Sequence, residues 1–351
     1  MLIPALPNQP TSTSYAAPAW LPGGNLQTIY SAKLALKPKL FYRRERWDTP
    51  DGDFIDLDWM DGDPASALYV LFHGLEGDSS SHYAVSLMAQ LRARGQTGVV
   101  VHFRGCSGEM NWMPRAYHSG DSPEIDWILR RFKSLRPATP IHATGISLGG
   151  NALLKWLGEQ GEAAQPILHS AAAVGAPMDL MASGLNLQRG FNMVYTRMFL
   201  ATLKRKSLRT LARYPGLFDV DTMRRSCNLY EFDNVVTGPL HGYRDTNDYW
   251  TRGSSKPVLK NIALPTLIIN ARNDPFIPPE SLPCAADISR HVTLEYPATG
   301  GHVGFVTGPF PGYLHWLPER LLHHFDSTHS STRERDPRIV PATGYQPAIV
   351  N

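Results

Sequence analysis

The segment GISLG (145–149) places a serine between two glycines with the spacing G-x-S-x-G. A short apolar run (141–145) precedes it and a helix-like segment (151–161) follows it. Between a strand and a helix, this spacing holds a serine hydroxyl on a sharp turn, clear of the backbone. The first N–H groups of the helix then point towards the reacting atoms. Ser147 is therefore the predicted nucleophile, although the spacing alone is also compatible with a structural turn.

An acid and a histidine follow this serine along the chain. Asp274 begins a loop after the apolar run 265–272, and His302 lies in a Gly-Gly turn after the run 291–296. A serine hydroxyl needs a neighbouring base, and the order Ser, Asp, His is typical of a triad on loops at the carboxyl ends of strands. His302 would accept the serine proton, and Asp274 would orient the imidazole. Each residue alone could equally belong to a turn, so the order carries the prediction.

Other chemistries are less well supported. The loop GLEGDSS (74–80) lacks the Lys-Ser/Thr ending of a P-loop, and neither it nor the segment 103–109 contains G-x-G-x-x-G. We therefore expect no phosphate or dinucleotide site and no cofactor. No histidine pair has the spacing of a helix-borne metal site, so no metal is expected. Cys106 has no base of its own and is predicted to be a packing residue. For His118 we favour a structural role over shaping the pocket.

Composition places the chain among ordinary globular proteins. It has 351 residues, of which 42% are hydrophobic and 19% charged. A formal net charge of +3 is too small to indicate a nucleic-acid partner. Three cysteines without C-x-x-C spacing indicate a reducing compartment. The start resembles no signal peptide, and no apolar run approaches the roughly 20 residues of a membrane span, so we expect a cytoplasmic protein without integral membrane association. Nothing in the sequence indicates an oligomeric state.

The elements that must position these residues alternate along the chain. An antiparallel hairpin is predicted over 43–63, where apolar and polar residues alternate. The predicted strands after it are 68–72, 97–103, 141–145, 169–177, 265–272 and 291–296. Helix-like segments at 82–95, 122–135 and 151–161 separate the early strands. Strands that are apolar on both faces and alternate with helices predict an α/β fold with a mostly parallel central sheet.

This alternation stops between about 178 and 262. The segment is helix-like at first and contains 13 Lys and Arg residues, well in excess of its acids. It is either a lid inserted over the carboxyl ends of the strands or a solvated pair of basic helices. We predict a single domain over 1–325, with an extended arm up to about residue 30. A polar, Pro-interrupted tail is expected over 326–351.

Several longer strings are more specific than the serine motif. They are WLPGGNLQT (20–28), LFHGLEGDSSSHY (71–83), VVHFRGCSGE (100–109), YHSGD (117–121), TGISLGGNALLKWLGE (144–159), EFDNVVT (231–237), HGY (241–243), PTLIINARNDPF (265–276) and GGHVGF (300–305). They resemble the YheT-like branch of the α/β-hydrolase superfamily over residues 18 to 325. The resemblance implies an α/β-hydrolase fold with a helical lid, a triad at Ser147, Asp274 and His302, and carboxylic ester hydrolysis.

We therefore expect a serine esterase that cleaves small-molecule carboxylic esters, with short to medium acyl chains preferred. The backbone N–H groups of Leu75 and Leu148 are the predicted oxyanion hole, because one follows a glycine turn and the other begins the helix after Ser147. His73 and Gly74 are expected to support the first of these loops. The same triad could serve a thioesterase, an acyltransferase, a perhydrolase or a phospholipase-like lipase. A catalytically silent binding module is the alternative outside enzymes.

Overall fold

A central sheet of eight strands organises the computed structural model, which describes residues 15–333, with side chains as far as Thr328. The strands are β1 (Arg43–Asp48), β2 (Phe54–Met60), β3 (Leu68–Phe72), β4 (Thr97–His102), β5 (Ile141–Ile146), β6 (Ser170–Val174), β7 (Thr266–Ile269) and β8 (Val292–Glu295). Their order in space is β1-β2-β4-β3-β5-β6-β7-β8. The β1–β2 and β2–β4 pairs are antiparallel and the other pairs are parallel, which confirms the predicted hairpin and the mostly parallel sheet.

Helices cover both faces of the sheet. They are α1 (Gly24–Lys33), α2 (His82–Ala93), α3 (Ser122–Leu135), α4 (Leu148–Gln160), α5 (Leu180–Asn186), α6 (Asn192–Arg213), α7 (Val220–Arg225), α8 (Leu229–Val235), α9 (Thr237–Leu240), α10 (Thr246–Gly253) and α11 (Trp316–Arg333). Helices α3 and α4 pack in one apolar core, and α2 and α11 pack in the other. Side chains of β3 alternate between these cores, because successive residues of a strand point to opposite faces.

The prediction of an extended N-terminal arm up to about residue 30 is wrong for the part of it that the structure describes, because that part contains a helix. Helix α1 begins after Gly23, whose φ of +75° suits a residue without a Cβ. Gln27, Thr28 and Ser31 of this helix are buried. A short helix with so weak an apolar pattern is stabilised by its tertiary contacts, which the sequence pattern does not show. The first 14 residues of the predicted arm lie outside the described part of the chain.

The segment 178–262, called the cap below, lies between β6 and β7 and contains α5 to α10. At the other end of the domain, the predicted boundary at residue 326 falls inside α11. Thr328 is buried, and its hydroxyl lies 3.2 Å from that of Ser170 on β6, so packing extends the helix beyond the expected domain end. Residues 334–351 of the predicted tail lie outside the described residues.

Candidate active site

Ser147 occupies the turn between β5 and α4, with φ +52° and ψ −118°. A non-glycine residue in this region of backbone space is strained by about 1–3 kcal/mol, and such strain is concentrated at functional sites. The neighbouring glycines permit the turn. A Cβ on Gly149 would lie 2.5 Å from the carbonyl oxygen of His73, and one on Gly145 would lie 2.5 Å from that of Gly149. The strand, the turn and the helix can approach this closely because both positions lack side chains.

His302 and Asp274 extend a hydrogen-bonded row from this serine. The Nε2 atom of His302 lies 2.9 Å from Ser147 Oγ, and its Nδ1 lies 2.8 Å from Asp274 Oδ2. The other carboxylate oxygen accepts the N–H of Phe276 at 2.8 Å, and the Asp274 side chain is fully buried. An ionised carboxylate only accepts hydrogen bonds, so the Nδ1 of His302 carries the proton and Nε2 is free to accept one.

The backbone around His302 is held from outside its own loop. Its N–H donates to Thr28 Oγ1 at 2.8 Å. The next residue, Val303, has a φ of +58°, and its carbonyl oxygen accepts from His82 Nε2 at 2.8 Å. Gly175, after β6, lets the imidazole pack closely, because a Cβ there would lie 3.4 Å from His302 Cε1. The ring is therefore fixed in position as well as in tautomer.

Helix α1 joins the acid loop to the histidine loop. Gln27 Oε1 accepts from Asn273 Nδ2 and from the N–H of Gly300, both at 2.9 Å. Asn273 Oδ1 in turn accepts the N–H of Gly301 at 2.9 Å. The sequence prediction missed this role of Gln27 and Thr28. The available signal was the string GGNLQT, whose uncharged polar pair follows a glycine-rich helix start.

The structure brings both predicted oxyanion donors to the cavity that also contains Ser147 and His302. Leu75 and Leu148 line this cavity. Among the described residues, neither backbone N–H has a hydrogen-bond acceptor. Gly74 brings the first loop close, since a Cβ there would lie 3.1 Å from the Cβ of Ser147. Two donors are thus left available beside the serine hydroxyl.

His73 makes two hydrogen bonds beside this loop. Its Nδ1 lies 2.7 Å from the carbonyl oxygen of Gly74, and its Nε2 accepts the N–H of Phe103 at 3.0 Å. Burial lowers the pKa of His73 to about 3, so the ring is neutral near pH 7. His118 lines the cavity and accepts the N–H of Gly120 at 3.2 Å. Burial holds the pKa of His118 well below the ordinary value, so its ring is neutral near pH 7.

Glu76 connects the Leu75 loop to the cap. Its φ is +56°, and its N–H donates to the hydroxyl of Tyr117 at 2.8 Å. That hydroxyl donates to Glu76 Oε1 at 2.8 Å, and Lys206 Nζ from α6 donates to the same oxygen at 2.7 Å. These contacts of Glu76 have no local sequence signal, because its partners are distant along the chain. Cys106 lies beside Lys206, but burial raises the pKa of its thiol to about 11, so it is not a thiolate at neutral pH.

Helix α6 contacts helix α1 and two of the loops that form the site. Asn192 Nδ2 donates to the carbonyl oxygen of Pro275 in the acid loop at 2.6 Å. The hydroxyl of Tyr195 lies 2.9 Å from Asn25 Oδ1 on α1. Lys206 reaches the Leu75 loop, as described above. The alternative of a freely solvated pair of basic helices does not fit this helix.

A cavity of about 970 Å³ separates the candidate site from the cap. Apolar side chains from α1, the loops and the cap line it, among them Ile29, Leu75, Val194, Met198, Phe199, Leu229, Phe232, Trp250, Phe276 and Ile277. Asp233 is an acidic group in this wall, and burial raises its pKa to about 6. The volume lies at the upper end of the range typical of small-molecule sites.

Two further observations concern the described residues only. Among them, no group of at least three His, Cys, Asp or Glu side chains is arranged to hold a metal ion. None of the helices within 15–333 has the length and apolar character needed to cross a membrane.

A family model described as the alpha/beta hydrolase fold matches residues 70–309. The chain belongs to the alpha/beta hydrolase family. Its YheT-like branch is shown by "Putative esterase YheT" of Escherichia coli K12, which is 39% identical over 297 residues covering 81% of this chain and 86% of that protein. Mouse "Phospholipase ABHD3" is 31% identical and covers 89% of this chain and 78% of its own length. This YheT-like hydrolase therefore has relatives named as esterases and lipases.

Solved structures agree on the fold. Ferulic acid-bound Est1E from Butyrivibrio proteoclasticus matches this YheT-like hydrolase with a TM-score of 0.52 at 14% identity, over 83% of this chain and all of that one. The esterase Pf2001 of Pyrococcus furiosus matches with a TM-score of 0.52 at 14% identity, over 85% and 97% of the two chains. At this identity the likeness concerns the fold alone.

Proposed function

We propose that this YheT-like hydrolase is a serine carboxylesterase with Ser147 as nucleophile, His302 as base and Asp274 as its orienting acid. The observation that carries the proposal is the hydrogen-bonded row of these three side chains, at 2.9 and 2.8 Å, beside two N–H groups without acceptors. A positioned serine, base and acid with adjacent donors is the arrangement that acyl transfer needs.

In the first half of the proposed reaction, Ser147 Oγ attacks the ester carbonyl carbon while His302 Nε2 takes the hydroxyl proton. The resulting oxyanion accepts hydrogen bonds from the N–H groups of Leu75 and Leu148, which are worth most where the negative charge develops. The bond to the alcohol oxygen then breaks, and His302 returns the proton to the leaving alcohol. Asp274 stabilises the imidazolium between these two transfers.

In the second half, water replaces the alcohol. His302 accepts a proton from the water as its oxygen attacks the acyl-serine, and the same donors hold the second oxyanion. Ser147 leaves with the proton from His302, which releases the carboxylic acid and restores the enzyme. These steps use one ester and one water molecule and require no cofactor.

We further infer that the cap acts as the lid of a single domain over 1–325 and that it selects the acyl chain. The contacts of α6 with the site loops and the apolar lining of the cavity support this role. Short to medium acyl chains remain the expected preference. The size of the cavity and the relative named as a phospholipase favour lipid esters as a second candidate substrate class.

Hydrolysis of p-nitrophenyl esters of graded chain length, compared with acyl-CoA thioesters of the same lengths, tests the proposal. We expect the esters to be the better substrates and Ser147→Ala to lose a factor on the order of 10³ or more in kcat. Faster thioester cleavage would make the protein a thioesterase with the same triad. A folded protein that cleaves none of these compounds would contradict the esterase proposal and support a binding module.

A further inference from the structure

We propose that α1 and α6 form a docking surface for an anionic lipid layer, with the mouth of the cavity facing that layer. The proposal builds on the esterase function, because it adds the physical form in which the ester is met. Its binding test is separate from catalysis, so the two proposals can fail independently.

One face of α6 exposes apolar side chains to solvent. Phe191, just before the helix, is 51% exposed, Val194 42% and Met198 49%. Residues three, four and seven positions apart lie on the same side of a helix, so these three form one stripe. Arg205 and Arg209 are also exposed and continue the same side towards the C-terminus of the helix. The face is therefore apolar in its first half and basic in its second.

Helix α1 extends the apolar stripe. The hydroxyl of Tyr195 on α6 lies 2.9 Å from Asn25 Oδ1 on α1, and residues of both helices line the same cavity. Leu26, the next residue on α1, is 53% exposed, and Leu34 and Leu36 beyond the helix are 65% and 71% exposed. Single exposed apolar residues are ordinary on a protein surface, but several on two adjacent helices indicate an interaction site.

The two chain segments that contain α1 and α6 carry positive charges only. Residues 16–44 contain five Lys and Arg residues, residues 180–218 contain seven, and neither range contains Asp or Glu. With a formal charge of +3 for the whole chain, the remainder of the protein carries a net charge of −9. Some of these cations are paired, as Lys206 is with Glu76. Arg197 and Arg205 are exposed and have no ion pair among the described residues.

The stripe is continuous with the catalytic cavity. Val194 and Met198 on α6, and Lys33 and Lys37 on and after α1, are exposed to solvent and also line the cavity that contains Ser147. An ester in a lipid layer could thus enter the cavity along apolar side chains without its acyl chain crossing water.

An anionic lipid surface fits this combination better than another protein does. Apolar side chains beside basic ones, on a helix without acids, are typical of helices that lie in the membrane interface. Each Lys or Arg near an anionic leaflet strengthens binding about fivefold, and apolar residues insert at the headgroup boundary. A second copy of the chain would place two positive faces together.

Vesicle flotation with full-length Ser147→Ala protein tests the proposal without hydrolysis of the lipids. We expect binding to vesicles of phosphatidylcholine mixed with phosphatidylglycerol, weaker binding to phosphatidylcholine alone, and a loss of binding at high salt. Leu26→Ser with Phe191→Ser, and Arg197→Glu with Arg205→Glu, should each weaken binding to the mixed vesicles about tenfold or more. Leu135→Ser and Lys260→Glu, at exposed positions outside α1 and α6, are the controls.

The proposal would be overturned if the protein bound vesicles of neither composition. It would also be overturned if the control variants lost as much vesicle binding as the α1 and α6 variants. Sedimentation velocity tests whether this face instead joins two copies of the chain. A dimer that dissociates in the Leu26→Ser with Phe191→Ser variant would make this face a self-interface and would also overturn it. Hydrolysis of a water-soluble p-nitrophenyl ester by the unmodified enzyme reports separately on the esterase proposal.

Discussion

The position of His302 depends on partners at both ring nitrogens and on its backbone. Ser147 and Asp274 bind the imidazole, while Thr28 binds the N–H of the same residue. Three of these residues were predicted from order and spacing, because each stands at the end of a recognisable strand. Thr28 was not, because its contact is 274 residues distant in sequence and has no local pattern.

Asp274→Asn tests the orienting role of the acid. The amide can donate to Nδ1 and thereby favours the tautomer with its proton on Nε2, which cannot accept the serine proton. We expect kcat for a p-nitrophenyl ester to fall by a factor on the order of 10³ to 10⁴ with little change in KM. Asp221→Asn, an exposed cap residue, is the control. Equal kcat values for the two variants would contradict the assignment.

At the scale of elements, the strands were predictable, but the contacts that α1 and α6 make with the site were not. Strands β3 to β7 are buried throughout, so their apolar runs are direct signals. Helix α1 has few apolar positions and is held by buried polar contacts through Gln27 and Thr28. Helix α6 is predicted to be basic, but its hydrogen bonds to α1 and to two site loops arise from tertiary packing alone.

Lys206→Met tests whether α6 positions the oxyanion loop. Without the ammonium group, Glu76 loses a partner that holds its left-handed backbone, and the preceding N–H of Leu75 becomes less well aimed. Losing one oxyanion donor costs about 10²–10³ in kcat, so partial misplacement should cost about tenfold. We expect kcat to decrease more than KM changes, because the oxyanion forms only in the transition state.

Lys204, two positions before Lys206, supplies the control for this prediction. Lys204 bonds the carbonyl oxygens of Arg224 and Ser226 within the cap, so Lys204→Met removes a similar bond away from the loop. Glu76→Gln should resemble Lys206→Met, and the double variant should lose little more than either. Equal kinetic constants for the two lysine variants would show that α6 only covers the site.

For the whole molecule, the sheet and its family followed from the sequence, but the cavity did not. Alternating strands and helices determine a parallel sheet, and the motifs fall at its carboxyl edge. The volume between that edge and the cap depends on how helices α5 to α10 pack, and no local sequence pattern predicts that packing. The burial of His73 and His82 also depends on tertiary packing, so the sequence alone does not predict it. Burial lowers the pKa of His73 to about 3 and that of His82 to about 4.

These histidines make stability depend on pH. In the unfolded chain, each titrates near its ordinary pKa of about 6.5, so between that pH and the folded value the unfolded state binds more protons. The free energy of unfolding therefore falls as the pH falls below about 6.5, by up to ~1.4 kcal/mol per pH unit for each histidine. Asp233 opposes this below about pH 6, because its folded pKa is raised.

His82→Gln isolates one contribution. Glutamine can still donate to the carbonyl oxygen of Val303 but does not titrate. Urea unfolding at pH 7, 6 and 5 should show a shallower loss of stability in this variant than in the unmodified protein. An unchanged slope would mean that His82 does not contribute to the acid sensitivity of the fold.

Covalent labelling with a fluorophosphonate, followed by mass spectrometry of the digested protein, tests the central claim most directly. Such a probe forms a stable bond with a serine only where a base activates it and donors hold the developing oxyanion. The proposed site predicts a single adduct on the peptide containing Ser147 and its absence in Ser147→Ala. An adduct on another residue, or equal labelling of the two proteins, would contradict the assignment of Ser147 as the nucleophile.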